Sequence, residues 1–262
     1  MDLGLRGKVA LVSASSKGLG RAIAEELAIE GAHLVICARG ADTLRETAES
    51  MRRKGVTVVD VAADVSEQSG IDLVANTALQ KFGKVDILVT NSGGPPSGSF
   101  DTFTPQAWEA ASRLLLMSAV GLARAVLPAM KEQRWGRILN VTSIAVKQPI
   151  DGLMLSNSLR AAVTGFARTL ANEVAPFNVT VNNIMPGYTR TDRVEQLARS
   201  TSEKSGGSTA DAFAKWEREI PMRRLGEPRE FAALAAFLAS ERASYITGAS
   251  IAVDGGWIRS IL

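Results

Sequence analysis

Residues Lys8 to Gly20, KVALVSASSKGLG, decide the fold. A run of apolar strand formers stops abruptly at small residues and glycines, and a helical pattern follows. After Gly20 the apolar positions Ile23, Ala24, Leu27 and Ala28 recur at helical spacing, with Glu25 and Glu26 turned outward. The stretch reads as a strand, a tight turn and a helix N-terminus. Ser13 to Gly20 therefore lies where open backbone N–H groups meet the positive end of the helix dipole, a ready seat for phosphate oxygens. Gly18 and Gly20 have G-x-G spacing, while Ala14 stands where a longer G-x-x-x-G-x-G needs its first glycine. On this stretch alone an ordinary strand-to-helix turn stays open.

Working outward, short runs rich in Val, Ile and Leu at Val9–Val12, Leu34–Ala38, Val56–Ala62, Val85–Thr90, Arg137–Thr142, Val179–Ile184 and Ser250–Val253 alternate with helical stretches near 18–30, 41–54, 66–82, 104–133, 156–174 and 228–239. Near-continuous apolar runs indicate strands buried on both faces, as in a parallel sheet covered by helices. The expected fold is α/β, doubly wound and Rossmann-type, with about seven parallel strands and helices on both faces, forming one domain over 1–262. Pro128 is expected to bend or break the 104–133 helix. The polar segment 191–220 contains the low-complexity stretch STSEKSGGSTA, Ser200 to Ala210. It follows the C-terminal end of the sixth strand, where ligands of open α/β sheets bind, and is expected to be a substrate lid, a plain surface insertion being the alternative.

Composition narrows the function. Hydrophobic residues make up 46% and charged residues 22% of 262, the profile of a soluble globular chain. The longest uncharged apolar run, Phe231 to Ala239, is too short to span a bilayer, and Met1 to Lys8 has no signal-peptide core, so a cytoplasmic location without membrane partners is expected. A single cysteine, Cys37, excludes an intramolecular disulfide. The net charge of +3 comes from 30 basic residues scattered among 27 acidic ones, which points away from nucleic acid. One histidine, His33, at the head of the second strand, and one cysteine leave no zinc site of those ligands and no Ser-His-Asp triad; no metal is expected.

Further motifs agree with the opening turn: Asp64-Val65 after the third strand, NSGG at Asn91–Gly94, PGYTRT at Pro186–Thr191, IPMRRLGEP from Ile220 and YITGASIAVDGG from Tyr245. Over essentially its whole length the chain resembles a short-chain dehydrogenase/reductase, of the branch that includes 3-oxoacyl-carrier-protein reductases. The turn corresponds to that family's T-G-x-x-x-G-x-G, with Ser13 and Ala14 replacing its Thr and first Gly. The resemblance implies a dinucleotide held by Ser13, Ser15, Ser16, Lys17, Gly18 and Leu19 at the turn. It also implies Asp64 and Val65 at the adenine, Asn91, Ser92 and Gly93 beside the ribose, and Pro186, Gly187, Thr189 and Thr191 near the nicotinamide.

Charge selects the cofactor. A ribose 2'-hydroxyl is met by an acidic residue at the end of the second strand, whereas a 2'-phosphate needs cations. That position is Ala38, followed by Arg39, and the turn carries Lys17. Both cations are expected to converge on the adenosine ribose, which favours NADP over NAD, two ordinary surface cations being the alternative.

The catalytic positions depart from the family. Its Ser, Tyr and Lys, assisted by an Asn, supply an oxyanion donor and a proton. Ser143 matches the serine, but Ser156 stands at the tyrosine of Y-x-x-x-K, Arg160 at the lysine and Leu115 at the asparagine. An aliphatic hydroxyl is a far weaker acid than a phenol, and a guanidinium holds ribose hydroxyls without relaying protons. Tyr188 and Lys147 are candidates for a relocated acid. Two readings follow: an NADP-dependent oxidoreductase on a small carbonyl or alcohol substrate with altered proton-donor residues, or a degenerate NADP-binding sensor or scaffold. A lyase or isomerase has no positive mark. The resemblance further implies a homodimer or homotetramer built on the 104–133 and 156–174 helices.

Overall fold

All four residues of β1 (Val9–Val12) are buried, and successive side chains enter opposite cores. Ala10 and Val12 join one apolar cluster and Leu11 the other; Leu34 and Ile36 against Val35 and Cys37, and Ile87 and Val89 against Leu88, repeat the alternation. Successive strand residues point to opposite faces, so an all-apolar run is the signature of a strand covered on both sides. The computed structural model describes residues 2–261, apart from the side chains of residues 204 and 205.

The chain runs β1, α1 (Gly18–Ile29), β2 (His33–Ala38), α2 (Ala41–Arg52), β3 (Val58–Ala62), α3 (Gln68–Phe82), β4 (Ile87–Thr90), α4 (Pro105–Ser112), α5 (Ser118–Glu132), β5 (Gly136–Val141), α6 (Met154–Val174), β6 (Val179–Pro186), α7 (Asp192–Ser205), α8 (Thr209–Glu219), α9 (Pro228–Ala239) and β7 (Ser250–Val253). The strands form one seven-stranded sheet in the order β3-β2-β1-β4-β5-β6-β7, parallel throughout. One face is covered by α1, α2 and α9 through Ile23, Leu27, Leu44, Met51, Phe231 and Leu238, the other by α3, α5 and α6 through Val74, Leu122, Val126, Ala167 and Leu170.

Three expectations gain detail from the structure, and the first is corrected. First, the 104–133 helix is not broken at Pro128, which lies inside α5. Pro128 and Arg124 one turn before it are both exposed, so the carbonyl left without its N–H partner faces water. The irregularity falls earlier, at a π-helical turn over Arg113–Met117 that contains Leu115. Second, the helical run Pro105–Glu132 is long and apolar enough to cross a membrane. Leu122, Ala123, Val126 and Met130, however, pack into the sheet's second core. Third, the segment 191–220, expected to be a substrate lid, consists largely of the two helices α7 and α8. Gly206, at φ 69°, ends α7, and Ser208 with Asp211 forms a capping box that starts α8. These helices carry a small core of their own, with Val194, Ala198, Ala212, Trp216, Ile220 and Leu225.

One buried carboxylate ties the sheet's centre. Asp86, its side chain 2% exposed, accepts from the Val9 amide at 2.8 Å and from Lys84 Nζ at 2.9 Å. Asp86→Ala would leave the Val9 N–H without a partner in the middle of the sheet. The expected loss is about 1–3 kcal/mol, read as a lower denaturant midpoint at unchanged slope. An unaltered midpoint would contradict this role.

Candidate active site

The sheet order reverses between β1 and β4, and a crevice opens at the C-terminal ends of those strands. Its floor is the turn after β1. Ser13 Oγ donates to the Asn91 carbonyl at 2.7 Å and accepts from the Asn91 amide at 2.9 Å. Ser15 Oγ donates to the Val12 carbonyl at 2.8 Å and accepts from the Cys37 amide at 3.2 Å. Both serines are fully buried and neither borders the crevice, so their hydroxyls brace the turn instead of facing a ligand. Ala14 sits at φ 48°, the left-handed backbone region expected of the glycine it replaces, at a cost of about 1 kcal/mol. Asn91 Nδ2 donates to the Ala14 carbonyl at 3.2 Å. A Cβ at Gly20 would lie 2.4 Å from that carbonyl oxygen and 2.7 Å from Asn91 Nδ2. Only glycine lets α1 begin this close to the strand ends.

Above the turn lies a cavity of about 1530 Å³. Ala38, Arg39, Asp64 and Val65 border one end; Ser16, Lys17, Gly18 and Leu19 the middle; Asn91, Ser92, Gly93, Ser143, Ser156, Arg160, Pro186, Gly187, Tyr188, Thr189 and Thr191 the rest. Burial alone would raise the Asp64 carboxyl. The Ser66 amide at 3.0 Å and hydroxyl at 2.7 Å, together with the charge of Arg39, outweigh it and hold the group below its ordinary value. Arg39 forms no ion pair among the described residues. Lys17 does: its ammonium lies 2.8 Å from Asp192 on the first turn of α7 and keeps that carboxyl low. It bridges the turn to the 191–220 segment instead of standing open beside Arg39. Both side chains are nearly two-thirds exposed, so the bridge contributes at most about 1 kcal/mol and yields readily to a better anion.

At the other end, Ser143 caps a short turn over Ile144–Val146, accepting from the Ala145 amide at 3.1 Å. Ser156 lies in the first turn of α6, buried, bordering the cavity, with no hydrogen-bond partner for its hydroxyl among the described residues. Arg160, one turn further, donates from one guanidinium nitrogen to the Val141 carbonyl at 2.8 Å. Burial, and then the neighbouring charge of Arg193, push it down to about 10, which still leaves it cationic at neutral pH. Leu115 is 4% exposed and borders a small cavity of about 10 Å³ with Thr90, Asn91, Ser118 and Arg160. That is room for about one water at most, and Leu115 offers it no hydrogen bond.

Neither candidate for a relocated acid is poised as one. Lys147 follows the Ile144–Val146 turn, points to solvent and does not border the cavity. Tyr188 borders it, but burial, reinforced by the charge of Glu219, pushes the phenol up to about 12, the wrong direction for a proton donor near neutrality. Its ring stacks on Trp216 at 4.4 Å and meets Trp257 edge-on at 6.0 Å. Trp216, Trp257 and Arg193, none of them singled out by sequence, also border the cavity. The tryptophans could have been found from helical spacing in α8 and from position after β7; Arg193 gave no signal beyond a polar first turn.

A family model described as enoyl-(acyl carrier protein) reductase matches residues 13–258. The NADPH-dependent reductase BacG of Bacillus subtilis is 32% identical over 256 residues, covering 97% of this chain and 99% of its own. A 3-oxoacyl-[acyl-carrier-protein] reductase of Aquifex aeolicus is 34% identical over 257 residues, covering 98% and 99%. Among solved structures, an L-sorbose reductase of Gluconobacter frateurii complexed with NADPH and L-sorbose superposes with a TM-score of 0.94 at 38% identity, over 100% of both chains. Fold, glycine turn and full-length likeness agree: the chain belongs to the short-chain dehydrogenase/reductase family.

Proposed function

We propose that this protein is an NADP-dependent oxidoreductase acting on a carbonyl or alcohol group of a small molecule, with an altered proton-donor set. The observation that carries the reading is the single cavity that joins Arg39, the glycine turn and the cluster of Ser143, Ser156 and Arg160. The residues fit a dinucleotide: α1 starts against a turn that a Cβ at Gly20 would fill, and Arg39, just after β2, is a cation without an ion-pair partner among the described residues. NADPH-dependent relatives support the same choice. When bound, the nicotinamide supplies or accepts a hydride. The chain's own residues do the rest. Gly18 and Leu19 would offer backbone N–H groups to phosphate, and Arg39 would hold the 2'-phosphate. Arg160 holds ribose hydroxyls, and Ser143 and Ser156 donate to the substrate oxygen as negative charge develops there. The proton is drawn from water reaching the cavity, since no side chain there is a tuned acid. A cofactor-binding protein without turnover is the second reading, favoured only by the loss of that acid.

Arg39→Asp should weaken NADP binding by about 2–4 kcal/mol while sparing or improving NAD, as measured by titration of both cofactors. Equal affinities of the unmodified protein for NAD and NADP would contradict the assignment.

Turnover is tested by following NADPH absorbance with a panel of ketones, aldehydes and 3-oxoacyl thioesters. The Ser156→Tyr, Arg160→Lys double variant should raise the rate on at least one simple carbonyl by about ten- to a hundredfold, about 1.4–2.7 kcal/mol of barrier. Tight NADP binding with no oxidation by either form would move the conclusion to the second reading.

A further inference from the structure

Two guanidinium groups border this cavity without an ion-pair carboxylate among the described residues. Arg193, in the first turn of α7, and Arg160, in α6, both border it; burial lowers the proton affinity of each, and the charge of Arg193 lowers that of Arg160 further. Each makes one hydrogen bond to a backbone carbonyl: Arg160 to Val141 at 2.8 Å, Arg193 to Pro95 at 2.9 Å. Neither forms an ion pair among the described residues. The acids bordering the cavity are engaged or sited elsewhere. Asp192 is on Lys17 and Asp64 on Ser66, Glu219 acts on Tyr188, and Asp151 is exposed.

Arg193 is also seated. A Cβ at Gly94 would fall 2.4 Å from its Nε and 2.5 Å from its Cζ, so the glycine is what lets the guanidinium lie against the loop after β4. Two partly buried cations without a counter-ion form an incomplete charge arrangement, and a ligand carboxylate is the group that completes it, through paired N–H donors in fixed geometry. The same cavity's lining includes an aromatic and apolar set, Tyr188, Trp216 and Trp257 with Leu153 and Leu197.

We propose that Arg193, seated on Gly94 and working beside Arg160, is the specificity-determining residue of this site, and that it selects a carbonyl compound bearing a carboxylate on an aromatic or similarly bulky apolar body. This rests on the oxidoreductase reading for the words "carbonyl compound"; the anion site itself does not. Arg160 lies one helical turn from Ser156 on α6, and Arg193 supplies the donors that distinguish an acid from its ester or amide.

The test separates the two. NADP-loaded protein is titrated with phenylacetate and with phenylacetamide, read by tryptophan fluorescence, since Trp216 and Trp257 border the cavity. The carboxylate should bind at least about tenfold more tightly. Arg193→Met should collapse that preference to within about twofold, and Arg193→Lys should restore part of it. In parallel, phenylpyruvate, benzoylformate and benzoylacetate are offered with NADPH beside their methyl esters; kcat/KM should favour each acid, and Arg193→Met should act mainly on KM. Equal binding of acid and amide would overturn the proposal. So would a tenfold or greater loss of NADP affinity in Arg193→Met with the acid preference retained, because a cofactor phosphate would then be the guanidinium's partner. Preference for the acid in binding, with no turnover of any compound, would keep the anion site and reject the oxidoreductase reading.

Discussion

The Ala14 carbonyl and the missing side chain of Gly20 set the path of the chain out of the sheet. The carbonyl is held by Asn91 Nδ2 and leaves no room for a Cβ on the first turn of α1. The same asparagine's backbone is bound by Ser13, so the ends of β1 and β4 are locked together at the point where the sheet order reverses. The start of α1, the crevice above it and the reach of Arg39, Ser143 and Thr191 into one cavity all depend on that lock. It is made wholly of short side chains and backbone, which is why Ser13 and Ser15 serve the turn rather than a ligand.

On this frame the two ends of the cavity have different characters. The end with the glycine turn and Arg39 is the one proposed to take the dinucleotide. The chemical end keeps the positive charge and the hydroxyls but not the acid: Arg160 stays cationic, Ser156 is an aliphatic alcohol, and the one phenol at hand is stacked against tryptophan and made less acidic. Such a site stabilises an oxyanion better than it protonates one. Arg193, lying over Gly94, adds a second fixed charge beside it.

The strands were legible because burial on both faces leaves an apolar run that no loop would carry, and β1 and β7 fall where the residues say. The helices over the sheet were legible from their stripes; α9 begins and ends as expected. What composition hid were α7 and α8. Ser200 to Ala210 looks like a flexible tract, but the apolar stripe of Val194, Leu197, Ala198, Ala212, Phe213 and Trp216 flanks it, and Ser208 and Asp211 form the cap that nucleates the second helix. The π turn was invisible for a related reason: RLLLM is apolar at every position after its arginine and carries no period to read. At the site, the resemblance named many of the residues that border the cavity, but not the inward turn of Ser13 and Ser15, the Lys17–Asp192 bridge, the exposure of Lys147 or the seat of Arg193. Those depend on where the first turn of α7 crosses the crevice, a tertiary fact with no local pattern.

As proposed, the cavity receives a hydride donor but supplies no tuned acid. Tyr188, raised to about 12, and Arg160, lowered only to about 10, both remain protonated throughout the neutral range, so neither changes charge there. The direct measurement is single-turnover hydride transfer from NADPH-loaded protein to its fastest carbonyl substrate, followed between about pH 6 and pH 9. The rate is expected to be flat across that window; a limb with a midpoint inside it would reveal a titrating acid in the site and contradict the proposal.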